Sequence, residues 1–84
     1  MSGQLEIDYP IAQRLDACGL SCPLPLLKAK QALNRLQPGE VLLVLATDAG
    51  SVRDFRAFTD QSGDQLLHST EEQGTFSYLI RKAT

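Results

Sequence analysis

The chain has no apolar run long enough to cross a membrane, no excess of basic charge and only two cysteines, and each shortage removes a class of function. Its longest strongly apolar stretch, residues 41–46, falls far short of the roughly 18 to 20 residues that a membrane-spanning helix needs. Residues 1–14 carry acidic side chains and Pro10 where a signal peptide would place a basic segment and then an apolar one, so a soluble, cytoplasmic protein without membrane contact is expected. A formal net charge of −2 offers no general field for a phosphate backbone, and direct nucleic-acid binding is not expected. Cys18 and Cys22 are too few for a disulfide framework and read, in a reducing compartment, as reactive or packing residues. With the single His68 they also fall short of the about four ligands of a structural zinc site, so no metal is expected.

What is present is the composition of one small packed domain. The 84 residues are 43% hydrophobic and 21% charged, which is ordinary for a globular chain, and a chain of this length has room for one core. Residues 1–11 read as an N-terminal lead, with disorder expected, and residues 12–84 as the single domain.

The patterning orders that domain as βαβαββ. Residues 12–18 alternate, with Leu15 and Ala17 set against Arg14 and Asp16, as a half-buried strand does. After Gly19-Leu20-Ser21, apolar residues at Leu26, Ala29, Leu33 and Leu36 form one stripe of a helix over residues 26–36. Pro38-Gly39 stops it. The unbroken apolar run at 41–46 predicts a central strand, apolar on both faces. Val52, Phe55 and Phe58 give a second helix its buried side; Asp48 or Ser51 can cap its start, and Gly63 falls where a left-handed residue would end it. Strands at 65–71 and 75–82 flank Glu72-Gln73-Gly74, a hairpin signal. Right-handed crossovers place both helices on one face of a mixed four-stranded sheet, a two-layer sandwich of the α/β (α+β) kind. The other face of the sheet, if only partly wet, could support weak self-association of a monomer.

The candidate for chemistry is Cys22 in Cys22-Pro23-Leu24-Pro25. Pro23 suits the first helical position and Pro25 the first turn, which puts Cys22 at the cap. A sulfur there is expected to be favoured as thiolate by the unpaired N–H groups and partial positive charge of the helix start. Leu24 and Leu27 lie off the buried stripe, beside Lys28, Gln31 and Asn34, and read either as a docking surface next to the sulfur or as side chains packed under the preceding loop. Lys28, Lys30 and Arg35 are a solvated face or steer an acidic partner. Cys18 makes a C-x3-C pair with Cys22, not the C-x-x-C of dithiol oxidoreductases; it reads as a packing residue, with a resolving role as the alternative. His68 points to solvent or a neighbour, and a Cys–His catalytic pair lacks any spacing signature. Asp48, Asp54 and Arg53 gather at the start of the second helix, where capping is the expected task, and could lie near the start of the first helix, since both helices begin on the same sheet edge after parallel strands.

The run Leu15-Asp16-Ala17-Cys18-Gly19-Leu20-Ser21-Cys22-Pro23-Leu24-Pro25 closely resembles the opening signature of the TusA (SirA-like) sulfur carrier family, L-D-x-x-G-L-x-C-P-x-P. The resemblance continues through Pro38-Gly39-Glu40, Thr47-Asp48, Arg53-Asp54 and Tyr78-Leu79-Ile80-Arg81-Lys82, nearly the whole chain. Ala49 stands where the family often has proline, and Cys18 occupies a position the signature leaves variable.

The resemblance implies the βαβαββ sandwich, also seen in the C-terminal domain of bacterial translation initiation factor three, and a signature cysteine, here Cys22, that carries sulfur as a persulfide. It implies a protein donor, a cysteine desulfurase or a rhodanese-like protein, and a protein acceptor in tRNA thiolation, molybdenum cofactor biosynthesis or sulfur oxidation. Such a sulfurtransferase-type relay calls for no cofactor. In this reading Pro23 and Pro25 support the sulfur and Leu24, Leu27 and Lys28 meet the partners. The rival readings are a redox-sensitive regulatory or interaction module and, by analogy of fold, an RNA binder, against which the acidic balance counts.

Overall fold

A computed structural model describes residues 10–84. It contains β1 (Ile11–Ala17), α1 (Leu24–Asn34), β2 (Val41–Ala46), α2 (Ser51–Ser62), β3 (Gln65–Glu72) and β4 (Thr75–Arg81), the βαβαββ order the patterning predicts. The sheet order is β1-β2-β4-β3, with β1 parallel to β2 and the other pairs antiparallel. Of the eleven N-terminal residues assigned to a lead, 1–9 lie outside the described residues, and Ile11 already belongs to β1.

Because β2 is apolar throughout, it can occupy the interior of the sheet, and its alternation decides which residues meet the helices. Leu42, Val44 and Ala46 are fully buried in the core with Ala29, Ala32 and Leu33 of α1, Phe55 of α2, and Tyr78 and Ile80 of β4. Register makes this layer continuous: Leu15 and Tyr78 both lie beside Val44. The Phe55 ring stacks on Tyr78 with centroids 4.5 Å apart and 26° between planes, a contact worth about 0.5–1.5 kcal/mol beyond the area it buries. Tyr78 would strand its hydroxyl in this core, but Ser51, itself buried at the start of α2, shares a 2.7 Å hydrogen bond with it. On the opposite side of the sheet no helix among the described residues lies over Leu43, Leu45 and His68, which line an open groove with Thr70 and Ser77.

Three local features differ from expectation. The first helix starts and ends two residues earlier than its apolar stripe, with Leu36 buried just beyond its end. Leu26 is only partly buried, whereas Pro25 and Ala32 complete the inward face. The first strand stops at Ala17, because the chain turns through Gly19 at φ +84°, so Cys18 leaves the strand. The second helix begins at Ser51 and closes on Gly63 at φ +87°, and Gln73-Gly74, both at positive φ, make the two-residue hairpin turn between β3 and β4.

Candidate functional site

The site lies where the loops after the parallel strands β1 and β2 meet, both leading into helices. Gly19 N–H donates to Thr47 Oγ1 at 2.8 Å and so ties the β1–α1 loop to the end of β2. Cys22 follows on that loop, exposed and in no disulfide.

The sulfur does not sit at the helix cap. Pro23 occupies that position, the Cys22-Pro23 bond is cis, and α1 begins at Leu24. The start of α1 also has few donors to offer. Pro23 and Pro25 have no N–H, the Leu24 N–H donates to Ser21 O at 2.8 Å, and the Leu27 N–H donates to Pro23 O at 3.1 Å. The thiol instead donates to Asp54 Oδ2 on the first turn of α2. This corrects the expectation of a favoured thiolate. The Asp54 hydrogen bond above all, then burial and the charges of Asp54 and Asp48, push the Cys22 thiol above its ordinary value, with Arg53 acting weakly the other way.

Asp48 and Asp54 therefore have different tasks. Asp48 Oδ2 accepts the Gly50 N–H at 3.0 Å and shapes the turn before α2; it does not cap the helix as expected, because Gly50 holds the cap position and no side chain bonds the first helical N–H groups. Asp54, assigned to capping by its position, is the partner of the sulfur. Gly50 is the third participant: a Cβ there would press on Asp48 Oδ2 at 2.9 Å within its own loop and would meet Cys22 Cβ and Sγ at ordinary contact distance, 3.6 and 3.7 Å. The shared sheet edge of the two helix starts already suggests Asp54 as a neighbour of the start of α1; that its carboxylate takes the Cys22 proton in a hydrogen bond, and that Gly50 lies against the thiol, has no signal in composition or spacing.

Cys18 is exposed, which overturns its reading as a packing residue. Its N–H donates to Asp16 Oδ1 at 3.0 Å, and the Asp16 side chain holds the Cys18 thiol above its ordinary value. Each thiol thus has its own carboxylate. The backbone hydrogen bond from Cys18 in turn holds the Asp16 carboxyl below its usual range.

Leu24 and Leu27 are 44% and 46% exposed, which excludes packing under the loop. Lys28 is exposed on the same helix. Lys30 is not simply solvated: its Nζ lies 5.4 Å from the centre of the Phe58 ring and links α1 to α2. Pro25 is fully buried and anchors the start of α1, whereas Pro23 is exposed beside the sulfur. His68 lies on the open face of the sheet, paired in register with Leu79, away from Cys22.

A four-stranded sheet with two helices on one face and a free thiol on the loop before α1 defines a small thiol-bearing α+β sandwich, the class to which the SirA-like proteins belong. A solved SirA-like protein from Desulfitobacterium hafniense superimposes with a TM-score of 0.75 at 27% identity, over 86% of this chain and 99% of that one. The family model described as sulfurtransferase TusA matches residues 13–82, and the chain belongs to this family. Among its relatives, the sulfur carrier protein TusA of Allochromatium vinosum is 56% identical over 71 residues, 84% of this chain and 93% of the relative. A putative sulfur carrier protein of Bacillus subtilis is 41% identical over 68 residues, 81% of this chain and 91% of that protein.

Proposed function

We propose that this protein is a sulfur carrier in which Cys22 accepts sulfane sulfur as a persulfide from a protein donor and relays it to a protein acceptor. The observation that carries the reading is the exposed, unbridged Cys22 thiol beside the exposed Leu24 and Leu27, in a chain whose relatives are named sulfur carriers. A partner must bring its own sulfur to within bonding distance, and apolar side chains next to a thiol give it a surface on which to do so. Weak contacts suffice, since the carrier has to leave one partner for the next.

In loading, Cys22 Sγ as thiolate attacks the outer sulfur of a donor persulfide, R–S–SH. The bond from Sγ to the outer sulfur forms as the donor's S–S bond breaks. Its electron pair goes to the inner sulfur, which leaves as thiolate and takes up the proton that Cys22 released. The products are Cys22–S–SH and R–SH, so no external oxidant, reductant or cofactor enters. Unloading repeats the exchange with an acceptor thiolate. A cysteine desulfurase or a rhodanese-like protein is the donor class this chemistry fits, and the reducing cytoplasm is the compartment.

Incubation with a cysteine desulfurase and free cysteine, followed by intact-mass measurement, tests the proposal. A species heavier by one sulfur atom, absent from Cys22→Ser, is expected; no such adduct on the parent chain overturns the carrier function.

A further inference from the structure

We propose that Asp54 is the positioning residue of the transfer site: its carboxylate holds the empty carrier's Cys22 as a hydrogen-bonded thiol turned onto α2, and lets the sulfur go once a persulfide has formed. This rests on the reading of Cys22 as the sulfur-bearing residue. An ionised carboxylate is an acceptor only, so the contact from Cys22 Sγ to Asp54 Oδ2 exists while the sulfur carries a proton. Asp54 is itself fixed. It is half-buried in the first turn of α2, where a negative side chain is favoured, and its N–H donates to Gly50 O at 3.1 Å.

The charged groups acting on the sulfur come from two elements. Asp54 and Arg53 belong to α2 and Asp48 to the loop before it, and the two carboxylates outweigh the guanidinium in keeping the thiol protonated. Loading reverses the balance. A persulfide is more acidic than the corresponding thiol, so at neutral pH the outer sulfur is an anion and the inner sulfur has no proton to donate. The hydrogen bond to Asp54 is then lost and replaced by repulsion between like charges. One carboxylate thereby shields the empty thiol from stray oxidants and alkylating agents and turns the loaded sulfur outward toward an acceptor.

The test compares the parent chain with Asp54→Asn and Asp54→Glu, each on a Cys18→Ser background. Each form is alkylated with iodoacetamide across a range of pH, both empty and after loading with glutathione persulfide. For the empty chain, Asp54→Asn is expected to move the midpoint of the rate–pH curve down. Thiolate abundance rises tenfold for each unit of that movement while intrinsic nucleophilicity falls, leaving alkylation at neutral pH about threefold faster per unit. The loaded chain, already ionised, is expected to react at nearly the parent rate, and Asp54→Glu to stay close to the parent in both forms. An unmoved midpoint in Asp54→Asn overturns the proposal, as does equal acceleration of empty and loaded forms, which is what a loosened structure would give. The empty-thiol titration uses no sulfur donor, so its outcome is independent of whether a desulfurase loads Cys22.

Discussion

Cys22 and Asp54 stand 32 positions apart in the chain and are joined by a hydrogen bond from thiol to carboxylate. The acidity of the sulfur is therefore governed from the second helix, although the sulfur precedes the first. Crossovers after β1 and β2, adjacent parallel strands, carry both helix starts to the same end of the sheet, where Gly50 lies beside the thiol.

This hydrogen bond has a stability signature in alkali. The folded-state value of the Cys22 thiol is raised above its ordinary 9.0, so the bond contributes fully below that pH and is lost as pH rises through the folded value. Cys18 and Tyr78 are raised as well, and the parent chain combines all three losses. Denaturant midpoints measured from neutral to alkaline pH should therefore fall less steeply for Asp54→Asn than for the parent. Parallel curves would show that the thiol proton contributes nothing to folding.

Replacing Leu24 and Leu27 together by alanine is expected to slow loading by a donor protein and leave the fold intact. Both side chains are nearly half exposed, so the stability change should stay within about 0.5 kcal/mol for each. Truncating an apolar anchor at an interface costs more than about 1 kcal/mol, or roughly five- to tenfold in rate when encounter is limiting. Stopped-flow loading and a thermal melt separate the two effects. Loading from a small-molecule persulfide should be unaffected, and unchanged loading by the protein donor would remove Leu24 and Leu27 from the docking surface.

The buried Ser51–Tyr78 pair should behave as a unit. Ser51→Ala leaves the Tyr78 hydroxyl without a partner and Tyr78→Phe does the same to Ser51, each at a cost of about 1–3 kcal/mol. The double variant strands neither group, so its loss should be clearly smaller than the sum of the two single losses. Urea unfolding of the four proteins measures this, and strict additivity would mean that the pair is not coupled.

Gly50→Ala is expected to disturb the site before it disturbs the fold. The backbone φ of −67° suits alanine, so the penalty arises from contact: Asp48 Oδ2, 2.9 Å from the new Cβ, has to move and weaken its bond to the Gly50 N–H, a loss of about 0.5–1.5 kcal/mol. The new Cβ also meets Cys22 Cβ and Sγ at contact distance, 3.6 and 3.7 Å, and by covering the thiol is expected to slow its alkylation. An unaltered rate would show that a side chain at position 50 leaves the thiol uncovered.

Much of this arrangement was legible in the order of residues because its causes are local. The apolar run at Val41–Ala46 demanded an interior strand, Gly63 and Gln73-Gly74 marked chain reversals that only certain backbones make, and Leu24 and Leu27 fell outside the stripe defined by Ala29 and Leu33. The signature around Cys22 singled out the family and the cysteine proposed to bear the sulfur. Sequence erred where neighbours distant along the chain decide. Nothing near Cys18 indicates that the turn at Gly19 would leave it in solvent, and nothing near Cys22 indicates that its proton goes to Asp54.

The sequence by itself thus determined the elements, the sheet's interior and the cysteine proposed to carry the chemistry, since periodicity, turn residues and motif act over a few positions. The tertiary structure alone decided the state of that residue. Protonation depends on charges and hydrogen bonds within a few ångströms, and here those come from Asp54, Asp48 and Arg53, brought to Cys22 by the parallel pairing of β1 with β2.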